Sequence, residues 1–194
     1  DDDRVLGSTA VTRWSYSMSK AIDEHFAFAY AAKGLPVSIV GLGTAFLGMP
    51  TVQARTGAYE ELVAQIDEDL GIRTVHAAVE AGCTLIDTAA LYGGGRSEAI
   101  IGAALAARPD LKAKVTVTTK VGRTVEGRDY SYDAVMRSVE TSLARLGLDR
   151  LAVAYIHDAM DIPMPEVMGK DRALGALRKL QEQGVVQYVG TAAD

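Results

Sequence analysis

Two periods of apolar residues alternate along most of the chain, and each period indicates a different element. Short apolar runs of strand length at 83–86, 115–119 and 151–156 are each followed by a polar or charged residue. Between these runs, apolar residues recur every three or four positions, which is the spacing of one helix face. We predict about five strands and four helices between residues 37 and 194, in alternating order. The other two strands are expected at 37–40 and 185–190, with a loop at 122–130 and an irregular acidic segment around Pro163 and Pro165.

Alternating strands and helices with short connections predict an α/β fold with parallel strands and right-handed crossovers. The expected architecture is a partial (β/α)8 TIM barrel, because a closed barrel of this type needs eight strands. An amphipathic helix is predicted before it at 17–33, where apolar residues recur every four positions. We therefore predict two parts, an N-terminal segment at 1–36 and the barrel at 37–194.

Composition narrows the classes of function. The chain has 194 residues, of which 48% are hydrophobic, and this is enough for the core of one domain. The net charge of −5 and the scattered basic residues argue against nucleic-acid binding, and the apolar stretches are too short for a membrane span. The single cysteine, Cys83, excludes an internal disulfide and favours a reducing compartment. We expect a cytoplasmic protein and predict no metal site.

Four residues with acid–base side chains lie just past the carboxyl ends of predicted strands. Asp87 ends the first of these strands, and Tyr92 follows it in a glycine turn; Lys120 and His157 end the next two. The carboxyl ends of the strands carry the chemistry in (β/α) barrels, so we expect these side chains to converge there. A carboxylate, a phenol, an ammonium and an imidazole at one edge indicate a catalytic site.

Five segments of the chain resemble the aldo-keto reductase family, and they occur in the family's order. They are GLGTAFLGM (41–49), IDTAALYGGGRSE (86–98), TTKVG (118–122), YIHD (155–158) and QEQGVVQYVG (181–190). The resemblance runs from about residue 35 to residue 194 and covers about five of the eight barrel strands. It implies an oxidoreductase that transfers hydride between a nicotinamide cofactor and an aldehyde, a ketone or a sugar.

The resemblance also implies roles for the strand-end residues. Tyr92 is expected to protonate the carbonyl oxygen of the substrate, or to act as the base in the reverse reaction, while His157 orients the carbonyl. A free phenol has a pKa of about 10, and a nearby ammonium, here Lys120, favours the phenolate. Asp87 is expected to hold Lys120 in place and keep it charged. Glu98 resembles a family position near the site.

The cofactor implied by the resemblance is NADP or NAD, with Gly43, Thr44 and Asp87 expected to contact it. We expect weak binding by this chain. The polar pair that follows the fifth strand in the family, and contacts the nicotinamide amide, is replaced here by Thr-Ala-Ala at 191–193. The family's loops for the adenosine phosphate follow later barrel strands.

The first 40 residues resemble a second family. Tyr16 and Lys20, with the segment AIDEHFAFAYAAKGLPVSIV (21–40), resemble the catalytic helix and following strand of an extended short-chain dehydrogenase of the nucleotide-sugar epimerase kind. Residues at i and i+4 share one helix face, so Lys20 can favour the phenolate of Tyr16. Nothing before Tyr16 supplies that family's glycine-rich turn. Both resemblances include the strand at 35–40, which suggests a fusion at a shared element.

Three functions remain open from the sequence. The first is an aldo-keto reductase-like oxidoreductase that acts on a small carbonyl compound or sugar through Tyr92. The second is an inactive fragment that associates with other copies, because a partial barrel leaves open sheet edges that favour pairing between chains. The third is an epimerase-like fragment that uses Tyr16 and Lys20. Activity of the variants Tyr92→Phe and Tyr16→Phe separates the two catalytic hypotheses.

Overall fold

A parallel sheet lies at the centre of the protein. The computed structural model describes residues 41–49 and 59–192, which belong to one compact unit, Gly41–Ala192. The strands in this part of the chain are β1 (Gly41–Gly43), β2 (Leu85–Asp87), β3 (Thr116–Val121), β4 (Arg123–Thr124), β5 (Gly127–Arg128), β6 (Leu151–His157) and β7 (Val186–Ala192). Five of them form the sheet in the order β1-β2-β3-β6-β7, and every neighbouring pair is parallel. The remaining two, β4 and β5, form an antiparallel hairpin directly after β3.

Helices connect the parallel strands and cover one face of the sheet. Those in the described ranges are α1 (Tyr59–Ala64), α2 (Glu68–Glu80), α3 (Arg96–Ala107), α4 (Pro109–Lys112), α5 (Tyr132–Leu146), α6 (Met164–Met168) and α7 (Ala173–Glu182), with a short 3-10 helix at Tyr92–Gly95. The start of α2 shows a side-chain cap, because Asp67 accepts a hydrogen bond from the N–H of Leu70 at 2.8 Å. The order of strands and helices is that of an α/β fold with a parallel sheet, as predicted.

The helices before β2 and β7 end in the same glycine motif. Gly82, at φ 99°, and Cys83 donate their N–H groups to carbonyls of α2 at 3.0 and 2.9 Å. Gly184, at φ 76°, and Val185 make the same two bonds to α7, both at 3.0 Å. In this Schellman arrangement the second residue after the cap still belongs to the helix end. The two strands therefore begin later than predicted, at 85 instead of 83 and at 186 instead of 185.

Side chains alternate between the two faces of each strand. On the face covered by helices, Ile86, Val121 and Ile156 are buried in the main apolar core. The chain neighbours of these three residues project from the opposite face; they are Asp87, Lys120 and His157. The strand period thus places three of the predicted acid–base residues on one face, at the carboxyl ends of β2, β3 and β6.

Some short elements of the structure are absent from the sequence-based prediction, and two of them lie between β3 and β7. The hairpin β4–β5 lies in a segment predicted as a loop, where Gly122 and Gly127 have φ of 89° and 139°. The helix α6 lies in a segment predicted as irregular. The predicted helix at 17–33, the strand at 37–40 and the boundary after residue 36 lie outside the described residues and stay predictions. No helix in the described ranges has the length and apolar character to cross a membrane.

Candidate active site

Asp87 ends β2 with its carboxylate facing two residues of β3. Its Oδ2 accepts a hydrogen bond from Lys120 Nζ at 2.6 Å, and its Oδ1 accepts one from Thr118 Oγ1 at 2.9 Å. Thr118 is the register partner of Asp87, and Lys120 follows two residues later on the same face of the strand. Both carboxylate oxygens are therefore fixed by β3, while about a third of the side chain (33%) stays exposed.

Lys120 is a buried cation, with only 6% of the residue exposed. Burial of an ammonium is costly unless it is paired and hydrogen-bonded. Here Nζ pairs with Asp87 and also donates to the carbonyl oxygen of Thr88 at 3.0 Å. The same nitrogen lies 4.9 Å from the ring centroid of Tyr92, within the range of a cation–π contact. The positive charge is thus held beside the phenol.

Tyr92 begins the 3-10 helix at 92–95, in a turn that only glycine adopts readily. Gly93, Gly94 and Gly95 all have positive φ, at 60°, 63° and 89°. The ring of Tyr92 meets the ring of His157 edge-on, with centroids 5.9 Å apart and planes at 86°. His157 is buried, at 1% exposure. The ring of Tyr92 therefore contacts both the ammonium of Lys120 and the imidazole of His157.

A layer of hydroxyl groups fixes the backbone at the end of β2. Thr44 donates its N–H and its Oγ1 to the carbonyl oxygen of Asp87, at 3.1 and 2.9 Å. The carbonyl oxygen of Thr44 in turn accepts from Ser97 Oγ at 3.1 Å, and Ser97 Oγ lies 3.2 Å from Thr88 Oγ1. These bonds join the ends of β1 and β2 to the start of α3, so the position of Asp87 is determined by all three.

Two of the residues predicted to contact the cofactor, Thr44 and Gly43, differ in how accessible they are. Thr44 is fully buried, and its hydroxyl is directed to the backbone of Asp87. Gly43 is exposed, pairs with Asp87 in the sheet register, and has nothing within 4 Å of an added Cβ. Contact of these residues with a cofactor stays a prediction, and the geometry makes Gly43 the more accessible of the two.

Glu98 is completely buried at the start of α3. Its carboxylate accepts a hydrogen bond from Thr119 Oγ1 at 2.6 Å and one from Arg145 Nη1 at 3.2 Å. A Cβ placed on Gly95 would collide with the guanidinium of Arg145. Glu98 thus ties the turn that carries Tyr92 to β3 and α5, on the helix-covered face of the sheet.

The structure brings together Asp87, Tyr92, Lys120 and His157, as expected from their places at strand ends. Thr118 is a residue of this group that was not predicted, although its position two residues before Lys120 in a strand is a signal that both share a face. Among the residues described, no cluster of His, Cys, Asp and Glu has the arrangement of a metal site. Tyr16 and Lys20 lie outside these residues.

The acid–base group and its sheet match a known family. The family model for "Aldo/keto reductase family" matches residues 40–193. The chain is 32% identical over 157 residues to the L-galactose dehydrogenase of Arabidopsis thaliana, covering 81% of this chain and 45% of that protein. It is 38% identical over 130 residues to an aldo-keto reductase of Mycobacterium ulcerans, covering 67% and 42%. The chain thus spans less than half the length of these curated relatives.

Solved structures show the same likeness. The holo form of an aldo-keto reductase from Bacillus halodurans superposes with a TM-score of 0.61 at 28% identity, over 81% of this chain and 47% of that one. An aldo-keto reductase from Klebsiella pneumoniae in complex with NADPH superposes with a TM-score of 0.56 at 26% identity, over 80% and 45%. The family model covers most of the sequence. The chain therefore belongs to the aldo/keto reductase family.

Proposed function

We propose that this chain is an oxidoreductase that interconverts a carbonyl group and an alcohol, with Tyr92 as the general acid or base. One observation carries the proposal: the Tyr92 ring lies 4.9 Å from the Lys120 ammonium and 5.9 Å from the centre of the His157 ring. A phenol, a paired cation and an imidazole at the carboxyl end of a parallel sheet supply proton transfer and substrate orientation together.

Two solvent-accessible residues of the site, Gly43 and Asp87, fit the reactive ring of a nicotinamide cofactor. Gly43 carries no side chain and has open space beside its Cα, and the neighbouring carboxylate of Asp87 is partly exposed. A flat ring can approach such a position, and Gly43 and Asp87 would hold it. When bound, the nicotinamide supplies hydride to a carbonyl carbon or accepts it from an alcohol. The Klebsiella relative was solved with NADPH, which supports a cofactor of this kind.

Each residue of the group has a separate part in the proposed reaction. The Tyr92 hydroxyl gives a proton to the carbonyl oxygen during reduction and takes one from the alcohol during oxidation. Lys120 favours the phenolate, because an opposite charge nearby stabilises the charged form. Asp87 keeps the buried Lys120 paired and hydrogen-bonded. The imidazole of His157, which lies edge-on to the Tyr92 ring, orients the substrate oxygen towards the Tyr92 hydroxyl.

The substrate class is proposed from a relative and from the mouth of the site. The Arabidopsis relative carries the name L-galactose dehydrogenase. We propose a sugar or a small aldehyde or ketone for this chain, since the partly exposed polar groups of Asp87 and Tyr92 suit a substrate with hydroxyl groups. A panel of aldoses and simple aldehydes, assayed in both directions, tests this choice.

The central experiment is a spectrophotometric assay of the purified chain with that panel and with both NADH and NADPH. We expect activity in the wild type, its loss in Tyr92→Phe, and its retention in Tyr16→Phe. Loss in Tyr16→Phe alone would support the epimerase-like hypothesis instead. Absence of activity in the wild type, with a folded protein by circular dichroism, would contradict the proposal.

We also propose that this chain binds the cofactor weakly. The end of β7 offers Thr191 and Ala192, and alanine makes no side-chain hydrogen bond to the nicotinamide amide. Isothermal titration with NADPH and NADH measures the affinity. A dissociation constant well above the micromolar range is expected, and a micromolar value would overturn this prediction.

Self-association is the alternative proposal for the same chain. Within the described sheet, β1 and β7 lie at the edges, and Tyr188 on β7 is 60% exposed. Exposed edges with apolar side chains favour pairing with another chain. Sedimentation velocity at several concentrations tests this: a shift towards dimer with concentration supports association through the edges, and a constant monomer rules it out.

A further inference from the structure

The hairpin β4–β5 is attached to the end of β6, where His157 lies. Tyr130 follows the hairpin and is buried at 6% exposure. Its hydroxyl lies 2.6 Å from the carbonyl oxygen of His157 and 3.0 Å from that of Asp158, and it donates to them. Burial raises the pKa of the Tyr130 phenol, so the hydroxyl keeps its proton for these bonds. The ring packs so closely on Gly122 that a Cβ there would collide with it.

Two ion pairs join the same hairpin to the residues that follow β6. Arg123, the first residue of β4, pairs with Asp158, whose side chain is buried at 3% exposure. Asp158 has φ of 48°, which makes it the single residue other than glycine with positive φ in the described ranges. Arg128, in β5, pairs with Asp161 at 2.5 Å. An ion pair to a buried carboxylate thus accompanies a conformation that the residue after His157 would otherwise rarely adopt.

The tip of the hairpin also reaches the turn that carries Tyr92. A Cβ added to Gly94 would lie 3.8 Å from Val125 Cγ1, which is ordinary van der Waals contact. The hairpin therefore lies beside the turn after β2, is joined by ion pairs to the residues that follow β6, and directly follows β3 and Lys120. It thus lies close both to the turn that carries Tyr92 and to the strand end that carries His157.

We propose that Tyr130 and Arg123 are positioning residues that set His157 against the ring of Tyr92. This inference rests on the proposed function, in which His157 orients the substrate. Tyr130 holds the backbone carbonyls of residues 157 and 158, and Arg123 pairs with the carboxylate of Asp158, whose Oδ2 lies 3.8 Å from Nε2 of His157. Together they fix the end of β6 from which the imidazole projects. Loss of either bond lets the end of β6 shift, and a displacement of about 1 Å in a catalytic group can lower the rate of the chemical step by about a hundredfold.

The first test is Tyr130→Phe, which removes one oxygen atom, with Tyr132→Phe as the matched control. The control removes a hydroxyl that makes no hydrogen bond among the described residues. We expect kcat of Tyr130→Phe to fall by about tenfold or more, with the cofactor dissociation constant unchanged. The control should retain the wild-type kcat. An unchanged kcat in Tyr130→Phe would overturn the proposal.

The second test compares Arg123→Lys with Arg123→Met. Lysine keeps the positive charge beside Asp158, whereas methionine keeps an unbranched apolar side chain without the charge. We expect Arg123→Met to lower kcat like Tyr130→Phe and Arg123→Lys to recover most of the loss. Equal values for the two variants would contradict the proposal.

The third test does not depend on turnover. The chain has three histidines, His25, His76 and His157, and their ring signals in a ¹³C-histidine-labelled sample can be assigned with single His→Gln variants. We expect the His157 signal alone to move or broaden in Tyr130→Phe and Arg123→Met, and no signal to move in Tyr132→Phe. If the wild type shows no carbonyl reduction, the proposed function fails, and this spectrum still decides the positioning role. An unmoved His157 signal in both variants would overturn that role.

Discussion

A group of ion-paired side chains lies at each end of the parallel strands. In both groups a basic side chain pairs with one or two carboxylates. At the carboxyl ends, Lys120 pairs with Asp87 at 2.6 Å. Near the other end, where α2 and α3 finish, Arg108 pairs with Glu80 and with Asp110, both at 2.8 Å. The distances are alike, but the exposures differ. The side chain of Lys120 is 8% exposed, whereas that of Arg108 is 39% exposed and each of its partners is more than half exposed.

The difference in burial decides what each group does. The exposed charges around Arg108 are screened by water and salt, so such pairs contribute little to stability. Lys120 cannot exchange Asp87 for water without exposing the core, and losing one partner leaves a buried charge uncompensated. The N–O distance of an ion pair is therefore a poor guide to its contribution to stability here, and the burial of the cation is a better one.

The largest expected effect is that of Asp87→Ala. It leaves the buried ammonium of Lys120 without its paired carboxylate, which should lower the free energy of unfolding by about 3 kcal/mol. Urea denaturation followed by circular dichroism measures this. Asp110→Ala is the matched control at the exposed group and should leave the midpoint in place. Equal effects of the two variants would remove the distinction between the two groups.

Thr118→Val sharpens the same comparison with a smaller change. The side chains have nearly the same shape, but valine cannot donate to Asp87 Oδ1, so we expect a loss of about 1.5 kcal/mol of stability. The carboxylate also becomes free to rotate away from Lys120, so carbonyl reduction should slow as well. Both are measured on one preparation, by urea denaturation and by the NADPH assay. A Thr118→Val protein as stable and active as the wild type would show that the Thr118 bond does not fix Asp87.

The smallest expected effect is that of removing the charge of Asp110, which belongs to the exposed group around Arg108. Arg108 lowers the pKa of Asp110 from 3.8 to about 2, chiefly through a side-chain hydrogen bond. A lowered carboxylate pKa stabilises the fold above the unfolded pKa, and the effect is lost as the pH falls towards 2. Because Asp110 is exposed, Asp110→Asn should match the wild type in thermal melts at pH 7 and 0.15 M salt. A clear drop in Tm would mean that this surface group is more than a screened pair.

The sequence pattern predicted which polar residues meet at the carboxyl edge of the sheet better than it predicted the ends of the elements. Asp87, Lys120 and His157 were each found because an apolar run stops at a polar residue, and parallel strands bring such stops to one edge. Cys83 extends the run before Asp87 at its other end, and Val185 begins the run that becomes β7, but the N–H groups of both residues close the preceding helices. Hydrophobicity alone does not distinguish a strand residue from the apolar residue of a helix-ending motif.

The contacts around the site depend on tertiary structure and left little trace in the sequence. Tyr130 lies 27 residues from His157, and its hydroxyl bond requires the hairpin to fold back over Gly122. The burial of Glu98 depends on Arg145 from α5, 47 residues away. The sequence places Asp158 directly after His157, but it gives no sign that Asp158 pairs with Arg123. Local sequence patterns predict where a residue lies along a strand. The partners of Tyr130, Glu98 and Asp158 depend instead on which segments come together in the folded chain.

The central claim is that Tyr92 transfers the proton, and single-turnover kinetics test it most directly. The decay of NADPH absorbance in a stopped-flow instrument, with enzyme in excess over an aldehyde substrate, gives the rate of the reduction step. We predict that Tyr92→Phe lowers this rate by about a thousandfold while Tyr132→Phe leaves it unchanged. A Tyr92→Phe protein that reduces the aldehyde at the wild-type rate would contradict the account.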